Sequence, residues 1–243
     1  MNRILCRQIP AFNLLFLMLL YGGILSAQQQ DAGLWTKFNL EKDISKKWSL
    51  YIEEEIRLKE NYSQLDRFYT EIGGSYKLWK GFKLSAGYRF ISKSDPVKYY
   101  WNDLRFQHRV MAELSYKYRI NSLTFFYKTR FEGEMKYIYS SDKGKVPGYD
   151  WKNKLEVKYR IMRFEPYFGT EIRYQFTDPR HPESNGLLNR VWIYGGVDIS
   201  IIPYHTLGVY YLLQKEWNLV GAETRYILGV QYSIQLPVSK KKK

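Results

Sequence analysis

Residues 103–120 read DLRFQHRVMAELSYKYRI. Taken alternately, they separate into two sets. Leu104, Phe106, His108, Val110, Ala112, Leu114, Tyr116, Tyr118 and Ile120 make one; Arg105, Gln107, Arg109, Met111, Glu113, Ser115, Lys117 and Arg119 make the other. A helix would spread both sets around its circumference, whereas a strand sends successive side chains to opposite faces. The stretch is therefore a strand with one apolar, aromatic face and one charged face. It is far longer than the ~5–6 residues usual in soluble sheets. It exceeds the ~9–11 residues that cross a bilayer at a tilt.

The same alternation recurs along the chain from Leu34. Residues 67–79 set Phe68, Ile72, Tyr76 and Leu78 against Tyr69, Glu71, Ser75 and Lys77. Residues 224–236 set Tyr226, Leu228, Val230, Tyr232, Ile234 and Leu236 against Arg225, Gly229, Gln231, Ser233 and Gln235. The period predicts strands near 34–42, 47–58, 67–79, 82–93, 103–120, 122–136, 151–162, 164–177, 188–201, 206–216 and 224–236. Short connections fall near 80–81, 120–122, 162–163 and 203–204. Longer ones fall at 59–66, 94–102, 137–150, 178–187 and 217–223. Short turns on one rim and longer loops on the other mark an all-β, antiparallel, up-and-down transmembrane barrel, with the short turns periplasmic and the loops extracellular. Because single-chain bacterial barrels have even strand numbers, ten or twelve strands are expected, with either residues 28–42 outside the barrel or a further strand within a long loop. Aromatic residues gather near strand ends, among them Trp48, Trp79, Tyr99, Tyr100, Trp101, Tyr137, Tyr139, Trp151, Tyr204 and Trp217. Such rings favour the membrane–water interface.

Composition agrees. Aromatics make up 18% of the 243 residues, 23 of them Tyr, and 26% are charged. A soluble core keeps charge outside, but a barrel with lipid around it and a polar lumen needs both classes interleaved. The mean hydropathy of −0.47 excludes a bundle of helices that each span with ~20 apolar residues.

The first residues are an address rather than part of the fold. Arg3 and Arg7 precede the apolar run Ala11–Leu25, and Ser26-Ala27 follow. Charge, a short apolar run and small residues are the parts of a cleavable secretory signal peptide, so residues 1–27 are expected to be removed by a Sec-type pathway, leaving an outer-membrane barrel over 28–239 and a basic tail over 240–243. The lone cysteine, Cys6, lies in the removed segment; no disulfide, Cys-based metal site or Cys nucleophile is expected in the mature chain. The net charge of +14 invites a nucleic-acid reading, but no zinc spacing, basic helix or RNP-like motif supports it. The tail Lys240 to Lys243 reads as a solvated end.

A search for chemistry is mostly negative. A Ser–His hydrolase needs a His that deprotonates the Ser. His108 lies on the apolar face, His205 at a short turn, and His181 in the loop with Asp178 nearby. Asp178 and His181 are the nearest thing to a site, and an ordinary solvated loop explains them. The inward pairs Glu53/Glu55 and Glu132/Glu134 could share a proton or bind a cation, but salt bridges to inward Arg and Lys are the simpler reading. Glu54 would face lipid between Ile52 and Ile56. A carboxylate there is costly, which predicts a bulge near Glu53–Glu55 or a position at the rim.

The inward face carries roughly twenty Arg and Lys and roughly twelve Asp and Glu when strand alternation is applied. Glu53, Glu55, Arg105, Arg109, Glu113, Lys128, Arg130, Glu132, Glu156, Lys158, Glu171 and Arg173 form the expected lumen charge network. Paired charges can fill a small barrel, or an excess of positive charge can select what passes through a gap. A closed or very narrow lumen is the favoured reading. The function expected is a non-enzymatic outer-membrane barrel, structural or a narrow anion-preferring channel for small solutes. A barrel enzyme acting on lipid or peptide and a surface protein binding through its loops are the alternatives. No catalytic residue, metal, cofactor or nucleic-acid partner is expected; outer-membrane lipid is the expected partner, and the chain is expected to be a monomer.

Several stretches resemble the DUF2490-type family of uncharacterised outer-membrane β-barrel proteins. They are Leu34-Trp35 with Glu53, Glu55 and Arg57; Gly87-Tyr88-Arg89; Arg105 to Arg109 followed by Arg130-Phe131-Glu132; and Asn189-Arg190 followed by Gly195-Gly196. The resemblance covers nearly all of the mature chain. It implies an outer-membrane barrel and no particular chemistry.

Overall fold

The alternation of apolar and charged residues becomes, in a computed structural model, a sheet closed on itself. The structure describes residues 31–94, 104–135, 147–178, 182, 185–219 and 222–238. The expected signal segment, Cys6, the basic tail, His181, Tyr99, Tyr100, Trp101, Tyr137 and Tyr139 lie outside the described residues. The strands are β1 (Asp31–Asp43), β2 (Trp48–Lys59), β3 (Gln64–Lys77), β4 (Phe82–Ser94), β5 (Leu104–Ile120), β6 (Leu123–Met135), β7 (Gly148–Tyr159), β8 (Phe164–Thr177), β9 (Leu187–Ile202), β10 (His205–Glu216) and β11 (Thr224–Leu236). Each pairs antiparallel with its neighbours in sequence.

The expectation of ten or twelve strands is not met: the barrel closes with eleven. In an up-and-down sheet, an odd count makes the first and last strands run the same way. β1 and β11 therefore pair in parallel, from Asp31 opposite Arg225 to Lys42 opposite Leu236. The loop expected at 59–66 is also shorter, since β2 and β3 are joined by residues 60–63. β7 begins and ends three residues earlier than its alternation predicts. It stops at Tyr159, and the turn after it carries Met162 at positive φ.

Parallel pairing is slightly weaker per residue than antiparallel, and the interior compensates behind this seam. Trp35 of β1, Ile227 of β11, Leu212 of β10, Tyr194 of β9 and Tyr167 of β8 form a buried apolar cluster inside the barrel. The Arg57 guanidinium lies over the Trp35 ring at 3.6 Å, and Trp35 meets Trp192 edge to face at 5.3 Å. At one end of the seam Lys42 Nζ donates to the Pro237 carbonyl at 2.9 Å.

Inward tyrosines fit into gaps left by inward glycines on neighbouring strands. The Tyr51 ring covers Gly73 and Gly87, Tyr194 covers Gly169, and Tyr210 covers Gly229. These glycines are required by close approach. A methyl group at Gly229 would fall inside the Tyr210 ring, whereas one at Gly195 meets nothing closer than 3.5 Å.

The outward face carries the apolar set, with scattered polar groups satisfied sideways. Thr70 donates to Glu54 at 2.8 Å, Tyr127 to Asn153 at 2.7 Å, and Trp151 Nε1 to Thr129 at 2.7 Å. Tyr88 and His108 share a hydrogen bond of 2.6 Å. The bulge or rim position expected for Glu54 is corrected here. β2 is regular through Glu53–Glu55, with Glu54 near mid-strand opposite Phe38 and Thr70. The irregularity lies at Arg57/Leu58 instead, where Asp66 turns inward and is buried beside Arg67. The Thr70 hydroxyl satisfies in place the carboxylate that a bulge would have removed.

The glycine notches give a paired test. Gly229→Ala should displace Tyr210 and cost about 1–3 kcal/mol by overpacking, while Gly195→Ala should be close to neutral. Urea unfolding of the refolded barrel reads both; equal losses would count against the notch.

Candidate functional site

Alternation sends one side chain in two to the interior, and neighbouring strands bring inward residues side by side about 4.8 Å apart. The register then creates an arrangement that no single strand contains. Arg57, Arg67, Lys93 and Arg105 stand directly opposite one another on β2, β3, β4 and β5. Arg130, Lys152, Arg173 and Arg190 do the same on β6, β7, β8 and β9. Two unbroken rows of four cations thus run around the inner wall. Like charges directly opposite each other destabilise a sheet, so each row depends on carboxylates reaching in from the flanks.

Those carboxylates are present. On the β1–β4 side, Lys37 pairs with Glu53 at 3.2 Å and Glu55 at 3.1 Å, and Arg57 pairs with Glu55. The Tyr69 hydroxyl lies between the two glutamates, 2.8 Å from Glu53 and 2.6 Å from Glu55, its single proton shared between them. Arg89 holds Glu71, which also accepts from Tyr51 at 2.9 Å. On the β5–β7 side, Glu132 is the hub. It receives Arg109 at 2.9 Å, Lys152 at 2.6 Å and Arg130 at 3.4 Å. Arg109 also binds Glu134, and Glu113 takes Arg130 at 2.7 Å and Lys128 at 3.4 Å. On the β7–β11 side, Glu156 binds Lys154 at 2.9 Å and Lys158 at 3.4 Å, and Lys158 reaches Asp198 at 2.5 Å. Glu55, Glu71 and Glu132 are almost fully buried.

Arg173 is held differently. Its Nε donates to Asn189 Oδ1 at 2.7 Å, and its described carboxylate partner, Asp150, stands at 3.9 Å. Its row neighbour Arg190 is fixed by Glu216, with Nε at 2.7 Å. Glu171 sits opposite Lys154 and Trp192.

Between these walls lies a cavity of about 480 Å³. Its lining includes fourteen Lys and Arg against eleven Asp and Glu, an excess of three positive charges. Trp35, Trp192, Tyr194, Tyr210 and Leu212 line it on the seam side, among charged residues that include Lys37, Arg190, Glu216 and Arg225. The lining runs from Asp66, Leu219 and Glu223 at the loop end down to Lys158, Tyr167 and Gln231. Toward the short-turn end, Ser49, Ser75, Ser85, Ser115 and Thr124 are buried rather than facing open space, and Ser75 and Ser85 share a hydrogen bond of 2.9 Å.

Ten of the twelve residues singled out in the sequence line this cavity: Glu53, Glu55, Arg109, Lys128, Arg130, Glu132, Glu156, Lys158, Glu171 and Arg173. Glu113 lies beside it, tied to Arg130, and Arg105 stands exposed at the loop end of its strand. The sequence reading left out Lys37, Arg57, Arg89, Lys152, Lys154 and Arg190, although alternation puts them on the same face. It also missed Trp35 and Trp192, whose inward position follows from the same period. Among the described residues, no group of three His, Cys, Asp or Glu could hold a metal. His108 and His205 bond to tyrosine hydroxyls, His205 to Tyr232 at 2.7 Å. The backbone N–H of Asp178 donates to Asn185.

A family model described as "Protein of unknown function (DUF2490)" matches residues 32–226. Among solved structures, one described as "NanC porin structure in rhombohedral crystal form" is similar, with 14% identity and a TM-score of 0.53 over 85% of this chain and 98% of that one. A second, described as "Unveiling the Mechanism Behind the in-meso Crystallization of Membrane Proteins", has 14% identity and a TM-score of 0.38 over 83% of this chain and 78% of that one, a likeness too loose to carry weight. No curated protein matches the chain in sequence.

The hub carboxylate yields a test of the wall. Glu132→Gln removes the buried carboxylate shared by three cations, of which Lys152 loses its salt-bridge partner while Arg109 and Arg130 keep Glu134 and Glu113, and should cost about 3–5 kcal/mol. Adding Arg109→Gln should recover part of the loss. Thermal unfolding of the single and double variants checks this, and strictly additive losses would refute the coupling.

Proposed function

The chain belongs to the DUF2490 family of proteins of unknown function, and we propose that it is a non-enzymatic outer-membrane barrel whose lumen provides a narrow, anion-preferring path for small solutes. One observation carries the reading: the two inward rows of four cations beside a cavity with excess positive charge. Fixed positive charge within low-dielectric walls concentrates anions and repels cations. Carboxylates on the flanks keep each site weak enough for an anion to leave, and passage requires binding that is neither absent nor tight. The packed serines and tyrosines toward the short turns make the path narrow rather than porin-wide.

An outer-membrane setting is supported by the outward face. Large apolar side chains such as Ile72, Val110, Leu155, Phe168 and Tyr211 stand exposed on it, each more than half exposed. A continuous apolar wall around a polar interior is stable only when something other than water surrounds it. The porin-like fold of the similar structure agrees with this setting.

Planar-bilayer recordings under a salt gradient test the path. The reversal potential should indicate anion preference, and Arg173→Gln, which removes the cation of its row whose carboxylate partner among the described residues is the most distant, should move it toward zero without unfolding the barrel. Cation selectivity in the unmodified protein would defeat the proposal.

The bilayer setting has its own test. Val209 lies mid-strand on the outer face, between Val197 and Val230. Val209→Arg should cost roughly 2–4 kcal/mol in a bilayer, falling to ~0–1 near the interface. Val157, two residues from the end of β7, should therefore tolerate Arg better. Folding titrations in lipid vesicles compare the two; an equal cost would place the hydrocarbon band elsewhere.

A further inference from the structure

The outer wall carries an apolar groove that the lumen reading does not use. It has a volume of about 400 Å³ and is lined by Leu84 of β4, Ala112, Glu113 and Leu114 of β5, Thr129 and Phe131 of β6, Trp151 of β7 and Phe176 of β8; the Glu113 carboxylate itself turns inward to Arg130. The small Ala112 lies among large side chains that stand exposed on either side. Toward the short turns the groove leads into an arc of rings. Phe82 contacts Tyr116 at 4.4 Å and Trp79 at 5.4 Å, Tyr116 contacts Tyr118 at 6.3 Å, and Trp48 contacts Tyr76 at 4.8 Å.

Beneath the arc the turns are cationic. Lys46, Lys47 and Lys80 are exposed there. The two turns that carry them are joined by a bond from Lys77 N–H to the Lys47 carbonyl at 2.8 Å, and the second turn is tied to β5 by Lys117 N–H to Gly81 O at 3.0 Å. The acids nearby are engaged from inside: Asp43 by Lys77 at 3.2 Å and Glu41 by Lys83 at 3.5 Å.

We propose that this face, from the β1–β2 turn to β8, is a binding site for an anionic diacyl phospholipid, with an acyl chain in the Ala112 groove and the phosphate head group at Lys80, flanked by Lys46 and Lys47. Length supports the pairing. The Lys80–Gly81 turn meets β5 at Lys117, five residues from Ala112 and about 16 Å along the strand, and half a hydrocarbon core is about 15 Å. A chain whose head group sits at Lys80 therefore reaches the groove. Charge supports the anionic class, since a juxtamembrane lysine attracts an acidic head group and a zwitterionic one gains far less. The tryptophan and tyrosine rings occupy the head-group level, where amphipathic rings are favoured. The site goes beyond the lumen reading, sharing with it only the bilayer setting, so a barrel without anion preference would leave this proposal standing.

Trp151 in the groove serves as the reporter. The mature protein is refolded into phosphatidylcholine bilayers containing increasing fractions of chain-brominated phosphatidylglycerol or, in parallel, chain-brominated phosphatidylcholine. The difference in quenching between the parent and Trp151→Phe isolates the groove signal. Half-quenching should need severalfold less brominated phosphatidylglycerol than brominated phosphatidylcholine. Lys46→Gln with Lys80→Gln should remove most of that preference and leave the phosphatidylcholine curve in place. Ala112→Leu should fill the groove and weaken quenching by both lipids, with heat-modifiable gel mobility showing that each variant still folds. Equal half-quenching by the two lipids, or a preference untouched by the lysine changes, would overturn the proposal. So would a dimer in detergent that Ala112→Leu dissociates, since the groove would then be an interface between copies.

Discussion

A sheet that turns an apolar face outward can leave no edge unpaired, because an unpaired strand exposes a row of N–H and C=O groups with nothing in hydrocarbon to satisfy them. The pairing of β1 with β11 meets that constraint, and the rest of the structure depends on it. Closure with eleven strands fixes the bore, places the first and last strands in parallel, and puts both strand beginnings on the loop rim. The seam is the weakest kind of pair in the barrel, and a cluster of buried apolar residues lies behind it. Trp35, Ile227 and Leu212, with Arg57 stacked on Trp35, tie the two strands from within.

Closure also determines how the interior is filled. More strands enclose more volume, and inward tyrosines lying over inward glycines occupy part of it. Charged side chains occupy much of the rest, and with little solvent around them they require partners. Some partners stand directly opposite, as Glu71 does to Arg89, Glu134 to Arg109 and Glu113 to Arg130, but within the two rows cation meets cation. Alternating signs within a row would have been the more stable arrangement. Departures from local rules of stability tend to fall at functional sites, and these rows are where the structure departs most clearly.

Outside, the same accounting of polar groups is met by short cross-strand bonds. Glu54, His108, Asn153 and Thr129 each find a hydroxyl or indole N–H on the next strand. The outer wall therefore keeps regular strands where a bulge might have seemed necessary. The groove beside Ala112 is an unevenness in it, where a small residue lies amid large ones.

The sequence by itself determined the strands, their near-exact extents and which side chain of each faces in, because the two-residue period of a strand is a local property of the chain. The inward position of Glu53, Arg109, Glu132 and Arg173 was legible on that basis. β7 was placed three residues late because the turn at Arg160–Arg163 carries no Gly, Pro or Asn to mark it. Only the tertiary structure decided the strand count at closure, the parallel seam, and which charges meet. Whether Arg57 faces Arg67 or a glutamate depends on register between strands, and a shift of two residues would keep every side chain on its face while replacing every partner. That register is set by turns, bulges and the demand for closure, which alternation within one strand does not encode.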